Sequence, residues 1–481
     1  MNNYKVLKIL ATKQNVFVRY KCSQRKILPK DRALEHFDEF YLQVFGNKWS
    51  SVRQGLLGKQ KYVAVINNYS DTEQVISTLE NCGALNMRAL FNVRKQNLQE
   101  NYDVLKRDRY LRKIWKLEKE LDKSVNSVNE HSEEETKFNE QFDKYKMLSL
   151  NYKLNHANYD DSRYIDCTAG LSANTLQEFI PATQIKGKDK DYVLESEYYE
   201  YCKEDGDFNI PVEKEYDLNF PEHLNVYCFP EGSGNKFTQP RKGSTGVHNY
   251  YILDGGSVLP VLALDIRPGN TIMDLCASPG GKSFIALQTL YPDCVVSNDI
   301  SKSRTDRIYK VLGEYFYDLE ERWLKTKRIK VTQNDGRLIS GEYYDRVLVD
   351  VPCTTDRHSV KENDNNIFKS TRLKERLKLP EFQTELLVSA LKMVKKGGIV
   401  VYSTCSLSPV QNDGVVYMAL QELWEDSNME FVVKNLNFAL AQTQDVFKLA
   451  DANIFRYGNV VLPSTHQNYG PTYFCKIQRI K

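Results

Sequence analysis

Two cysteines, Cys353 and Cys405, each close an apolar run of strand character, and an aspartate, Asp350, ends the first of those runs. Tyr344-Asp345-Arg346-Val347-Leu348-Val349 leads into Asp350-Val351-Pro352-Cys353, and Ile399-Val400-Val401-Tyr402 leads into Ser403-Thr404-Cys405-Ser406. Uninterrupted runs of this kind suit central parallel strands covered on both faces. In open α/β sheets ligands collect at the carboxyl ends of the strands. A thiol placed there is a candidate nucleophile or base, because its thiolate is reactive once neighbours lower its pKa. Residue types alone leave open which thiol attacks. The ten cysteines include no C-x-x-C pair and no His/Cys zinc spacing, so they read as free thiols in a reducing compartment, with no metal site.

A second element supplies a ligand loop. Thr271–Ala277 reads as a strand, Ser278-Pro279-Gly280-Gly281-Lys282 as a tight turn, and Ser283 to Leu290 as a helix. Gly281-Lys282-Ser283 fits the end of a phosphate-binding P-loop, but Cys276 stands where that motif needs its first glycine. The G-x-G-x-x-G of a dinucleotide fold is absent. Asp299 ends the next strand, Cys294–Asp299, and an acid at that place suits the hydroxyls of a ribose. Asp335, after a third strand at Ile329–Thr332, is a candidate for an adenine amino group. Gly280 and Gly281 let the backbone approach a ligand closely, and Lys282 lies near a ligand carboxylate or the sheet mouth. This combination fits S-adenosylmethionine better than NAD or ATP.

The elements that position these groups alternate strand and helix from about residue 218 to the end, the pattern of a doubly wound parallel sheet. Tyr473–Ile477 adds a late antiparallel strand. Upstream, residues 33–94 read as a small helical or mixed domain. In it Leu34, Phe37, Phe40, Tyr41, Val44 and Phe45 form one helix face, Trp49-Ser50-Ser51-Val52 opens a second helix, and Tyr62–Ile66 is a strand. Residues 95–217 are a charged helix at 107–123 followed by an acidic stretch too polar to bury a core. Residues 1–32 read as a mitochondrial presequence, since the first thirty hold lysine and arginine but no aspartate or glutamate. A basic RNA-binding arm is the competing reading. No apolar run is long enough to cross a membrane. A net charge of +3 with 27% charged residues does not announce a nucleic-acid binder, so local clustering must carry that argument. One such cluster is Lys369, Arg372, Lys374, Arg376 and Lys378, after the Asp356-Arg357-His358 loop; it is either a solvated helix face or an RNA-backbone contact.

The motifs D-L-C-A-S-P-G-G-K (Asp274 to Lys282), D-V-P-C-T-T-D-R-H-S (Asp350 to Ser359) and Y-S-T-C-S-L (Tyr402 to Leu407) resemble three signatures of the Sun-domain RNA (cytosine-5) methyltransferases. The second motif and the ending Asn468–Lys476 most resemble the mitochondrial ribosomal-RNA branch of that family. The resemblance covers about Asn225 to the C-terminus, is weaker over 33–94 and is missing across the acidic stretch. It implies a Rossmann-like, S-adenosylmethionine-dependent methyltransferase domain. The cofactor contacts would fall on Gly280, Gly281, Lys282, Asp299, Arg304, Asp335, Gly336 and Asp350. Cys405 would be the nucleophile and Cys353 the thiol linked to product release.

The chemistry agrees with two thiols. Carbon 5 of cytosine is too electron-poor to take a methyl group until a thiolate adds to carbon 6. A protonated, largely buried Asp350 would then hydrogen-bond ring nitrogen 3. The base must leave its stack, which favours single-stranded or looped RNA. The resemblance further implies a mitochondrial rRNA substrate in the matrix, a role at the mitochondrial ribosomal subunit, and a helical-repeat partner of the mitochondrial termination-factor family. Two alternatives compete: methylation of an exocyclic amine, which wants an aromatic that does not follow Cys353, and an RNA-binding assembly scaffold whose methylation is dispensable.

Overall fold

The computed structural model describes residues 27–98, 208–341 and 343–481. The presequence reading, apart from its last residues, and the readings of 107–123 and the acidic stretch lie outside the described residues. In chain order the strands are β1 (Val63–Ile66), β2 (Leu85–Asn86), β3 (Val212–Lys214), β4 (Val226–Cys228), β5 (Tyr250–Leu253), β6 (Thr271–Asp274), β7 (Cys294–Asn298), β8 (Ile329–Thr332), β9 (Tyr344–Asp350), β10 (Val394–Thr404), β11 (Phe431–Asn435), β12 (Asn459–Val461) and β13 (Thr472–Arg479).

The larger sheet runs β3-β11-β13-β10-β9-β6-β7-β8, with β12 on β13. Pairing is parallel from β10 through β9, β6 and β7 to β8, while β13 is antiparallel to β10 and β11. The late strand is therefore antiparallel as expected, but interior, since β11 and β3 lie beyond it. The chain winds outward over β6, β7 and β8, then returns to lay β9 against the other side of β6. Winding reverses between β6 and β9, and a crevice opens at such a switch point.

The central strands alternate in register with two cores. Val347 and Val349 of β9 and Val400 and Tyr402 of β10 face one layer; Leu348 and Val401 face the other. This period of two, with both faces covered, is why the runs read as continuously apolar. Phe37, Tyr41 and Phe45 of the helix Pro29–Phe45 join the first layer, so this helix packs on the larger sheet rather than forming a core of its own. The helix starts inside the stretch read as presequence, with Pro29 in its first turn.

Trp49 begins the helix Trp49–Leu57, so Ser50 and Ser51 lie within it and make no cap. The Trp49 indole instead donates to Asp38 at 3.0 Å. At Gly55 a Cβ would stand 2.6 Å from the backbone of Pro463 and Ser464, so only glycine admits this approach of helix and C-terminal segment. The smaller sheet, β2-β4-β1-β5, is antiparallel and joins β1 to β4 and β5 across the intervening segment. Residues 33–94 and 218–253 thus share one sheet, and the expected boundary between them is not a break in packing. No helix among the described residues is long and apolar enough to cross a membrane.

Candidate active site

β9 and β10 are neighbours with Asp350 paired in register with Ser403, so the two strand-end motifs emerge side by side. Cys353 Sγ and Cys405 Sγ lie 3.1 Å apart, and the Cys405 amide donates to Cys353 Sγ at 3.3 Å. Lys282, at the start of the helix Gly281–Gln288 rather than in the turn before it, places Nζ 2.5 Å from Asp350 Oδ2, while Ser403 Oγ donates to Oδ1 at 2.8 Å. The three groups predicted to do chemistry, Cys353, Cys405 and Asp350, therefore meet Lys282 at one mouth.

Electrostatics distinguish them. The Cys405 thiol is pushed well above its ordinary pKa, first by its contact with Cys353 and then by burial and the Asp350 charge, with Lys282 acting in the opposite sense. Burial alone would lower the Lys282 pKa, but the Asp350 carboxylate outweighs it and leaves the ammonium stabilised. Asp350 was expected to be buried and protonated. Its side chain is instead 33% exposed and paired with the Lys282 ammonium. Lys282 is the hydrogen-bond donor to Asp350 Oδ2.

The turn after β6 has the geometry of a ligand cradle. Gly280 has φ +108°, and a Cβ on Gly281 would touch the Tyr251 ring at 3.4 Å. Asp299, just past β7, is 2% exposed; Oδ1 accepts from the Ser301 amide, and Oδ2 meets Arg304 Nε at 3.2 Å as an ion pair but accepts no hydrogen bond. A buried carboxylate oxygen with unused acceptor capacity fits a ligand hydroxyl. Asp335 caps the short turn after β8 through the Arg337 amide, and its carboxylate is held below its usual pKa by the Arg337 fork, which outweighs partial burial. It is engaged rather than free. Gly336 is packed between Leu275 and Leu386, each 3.0 Å from where its Cβ would be.

Several residues that build the site were not singled out in the sequence. Asp274, at the end of β6, is pushed up to about 7 by burial; Ser283 donates to its Oδ2 at 2.6 Å, and Oδ1 has no partner. Gln383 donates to the Pro352 carbonyl at 2.7 Å, and Gln411 accepts from the Thr354 amide at 3.1 Å, fixing the loop that carries Cys353. Asp356 accepts from the Tyr41 hydroxyl at 2.6 Å, Thr354 Oγ1 at 2.5 Å and the Leu407 amide at 2.7 Å. The Asp356-Arg357-His358 loop is in fact the start of the helix Asp356–Lys361. Arg357 is buried and donates to the carbonyls of Gly55 and Gly470 and to Asn468 Oδ1. These two charges clamp the N- and C-terminal segments around the thiol loop. Within the basic run, Arg372 pairs with Glu375 and Arg376 lies 4.4 Å over the Phe368 ring. Asp345 sits at the opposite end of the sheet, accepting from the Thr271 amide and Lys395.

Residues 261–474 match the family model described as 16S rRNA methyltransferase RsmB/F. The 5-cytosine rRNA methyltransferase NSUN4 of Xenopus tropicalis is 34% identical over 93% of this chain and 90% of its own length. The corresponding protein of Caenorhabditis elegans is 31% identical over 94% and 92%. That of Mus musculus is 43% identical over 55% of this chain and 68% of its own.

Proposed function

The chain belongs to the RsmB/F family of S-adenosylmethionine-dependent rRNA cytosine-5 methyltransferases, and from that premise we propose that it works through a covalent cysteine–RNA adduct on mitochondrial small-subunit ribosomal RNA. The observation that carries the mechanism is the meeting of Cys405, Cys353, Asp350 and Lys282 at the ends of adjacent strands. The Cys405 thiolate adds to carbon 6 of the target cytosine, forming an S–C bond and moving an electron pair toward carbon 5. Lys282 donates to the ring as charge develops there, and the Asp350 carboxylate accepts from the exocyclic amine. S-adenosylmethionine, when bound, supplies the electrophilic methyl group. After transfer the carbon 5 proton leaves, the S–C bond breaks and its electrons stay on the Cys405 sulfur, while the pair from the C–H bond restores the ring double bond. Cys353, in contact with the Cys405 sulfur, assists that release.

Gly280, Gly281, Asp299, Arg304, Asp335 and Gly336 would hold the cofactor. Asp299 is the residue best placed for its ribose, through the acceptor capacity left on Oδ2. Asp299→Ala is expected to weaken S-adenosylmethionine binding by roughly 10- to 150-fold in a calorimetric titration, the scale of hydrogen bonds to a charged group. Unchanged affinity would remove the ribose assignment.

Mitochondrial action is supported by the acid-free, basic first thirty residues. A further relative is named as a mitochondrial tRNA (cytosine(34)-C(5))-methyltransferase of Danio rerio, 36% identical over 48% of this chain. On this reading the protein works in the matrix, on a ribosomal subunit under assembly, with a helical-repeat partner of the termination-factor family adding RNA affinity. Bisulfite mapping of mitochondrial and cytosolic rRNA, with and without the protein, tests the substrate. A mitochondrial small-subunit cytosine should lose its protection when the protein is absent; loss confined to cytosolic rRNA would refute the assignment.

A further inference from the structure

A cleft of about 980 Å³ opens outward from Cys405. Its lining includes Lys59, Lys61 and Tyr62, the glycine-rich loop that carries Lys236, and Arg357 and Lys361 of the helix Asp356–Lys361. Asp254 and Glu362 are the acids on the lining, and Asp254 is occupied by the Gly256 and Gly470 amides. Among the described residues these lysines make no close ion pair with a carboxylate. Lys61 donates to the Pro230 carbonyl at 3.0 Å and Lys361 to the Gly58 carbonyl at 2.5 Å. These acceptors are neutral, and the nearby carboxylates, Glu231 for Lys61 and Glu362 for Lys361, act through space rather than as ion pairs.

Lys59 and Lys236 both line the cleft, and the Lys236 charge lowers the Lys59 pKa. Two ammonium groups facing each other repel unless an anion lies between them. Beside them Tyr62 presents a 48% exposed ring. Cations lining a groove with an exposed aromatic form the arrangement that binds single-stranded nucleic acid without reading sequence: charge follows the backbone, and rings stack bases.

We propose that this cleft is a single-strand RNA track, in which Lys59 and Lys236 together hold a backbone phosphate next to the target nucleotide and Tyr62 stacks a neighbouring base. The proposal rests on the reading of Cys405 as the residue that meets the target cytosine. It gives the smaller sheet a function: the segment leading into β1 and the loop after β4 shape the approach to a thiol carried by the larger sheet.

The test uses the full chain and a fluorescein-labelled, single-stranded RNA of about 12 nucleotides that contains cytosine and spans several phosphates of such a track. Binding is followed by anisotropy from about 50 to 200 mM salt, a range over which phosphate contacts are strongly salt-dependent. Lys59→Gln with Lys236→Gln should weaken binding about tenfold at low salt and flatten the slope of log K against log salt by about 0.7 for the phosphate released. Tyr62→Ala should weaken binding roughly 5- to 100-fold with the slope unchanged, and Tyr62→Phe should restore it. All variants should titrate S-adenosylmethionine as the parent chain does. If the parent chain binds and methylates RNA but the variants match it in affinity and slope, the track is wrong and the catalytic reading stands. If the parent chain binds no RNA, the track is refuted, while the catalytic reading is judged separately by adduct formation on Cys405. Weakened binding that Tyr62→Phe does not rescue would overturn the stacking role.

Discussion

Cys405→Ala is expected to abolish methylation, by about 10⁴-fold or more, the scale of removing a nucleophile from an enzyme that depends on it. It should also leave no RNA bound to the protein under denaturing conditions. Cys353→Ala should behave oppositely: attack proceeds, release stalls, and a protein–RNA species persists on a denaturing gel. The thiol contact predicts a pH signature as well. Cys405 has a raised pKa, so little of it is thiolate at neutral pH, and single-turnover adduct formation should rise with pH, up to about tenfold per unit below that pKa. Cys353 is the largest contributor to the raised value. Its removal should therefore shift the rise to lower pH. A flat profile in both proteins between about pH 6 and 9 would contradict the thiolate requirement.

The second large effect belongs to Lys282. Lys282→Met retains much of the side chain's length and removes both the proton donor and the counter-charge of Asp350. The expected loss in turnover is roughly 10²- to 10³-fold, that of deleting one preorganised donor to developing charge. Cofactor affinity, measured separately by calorimetry, separates a binding role from a role in the reaction. If turnover falls no further than cofactor binding does, Lys282 holds the cofactor and the ring must be stabilised by another group.

The sequence made the thiols and Asp350 readable because each follows a strongly apolar strand run, and Asp299 because it ends the strand after the glycine turn; a parallel sheet brings such ends to one edge. The glycine turn was readable for the same local reason. What escaped was non-local. Asp356 looks like a surface loop residue until Tyr41, far upstream, is found donating to it. Arg357 takes its acceptors from residues 55, 468 and 470, and nothing near it in the chain signals a buried charge. The pairing of Asp350 with Lys282 escaped because Lys282 enters from the start of the helix after another strand. Strand pairing likewise hid the smaller sheet, whose members β1 and β4 are separated by the whole charged stretch. The Lys59 and Lys236 cluster stayed invisible in a nearly neutral composition for the same reason.

Substrate RNA carrying 5-fluorocytidine at the target position tests the central claim most directly, because fluorine at carbon 5 cannot depart as a proton does and the thioether to carbon 6 is retained. After reaction with the full chain and S-adenosylmethionine, the adduct is digested and the modified peptide sequenced by mass spectrometry. The nucleotide should be found on Cys405, in the peptide containing Tyr402-Ser403-Thr404-Cys405. A nucleotide on Cys353, or an unmodified protein after methyl-transfer conditions that turn over normal RNA, would contradict the account.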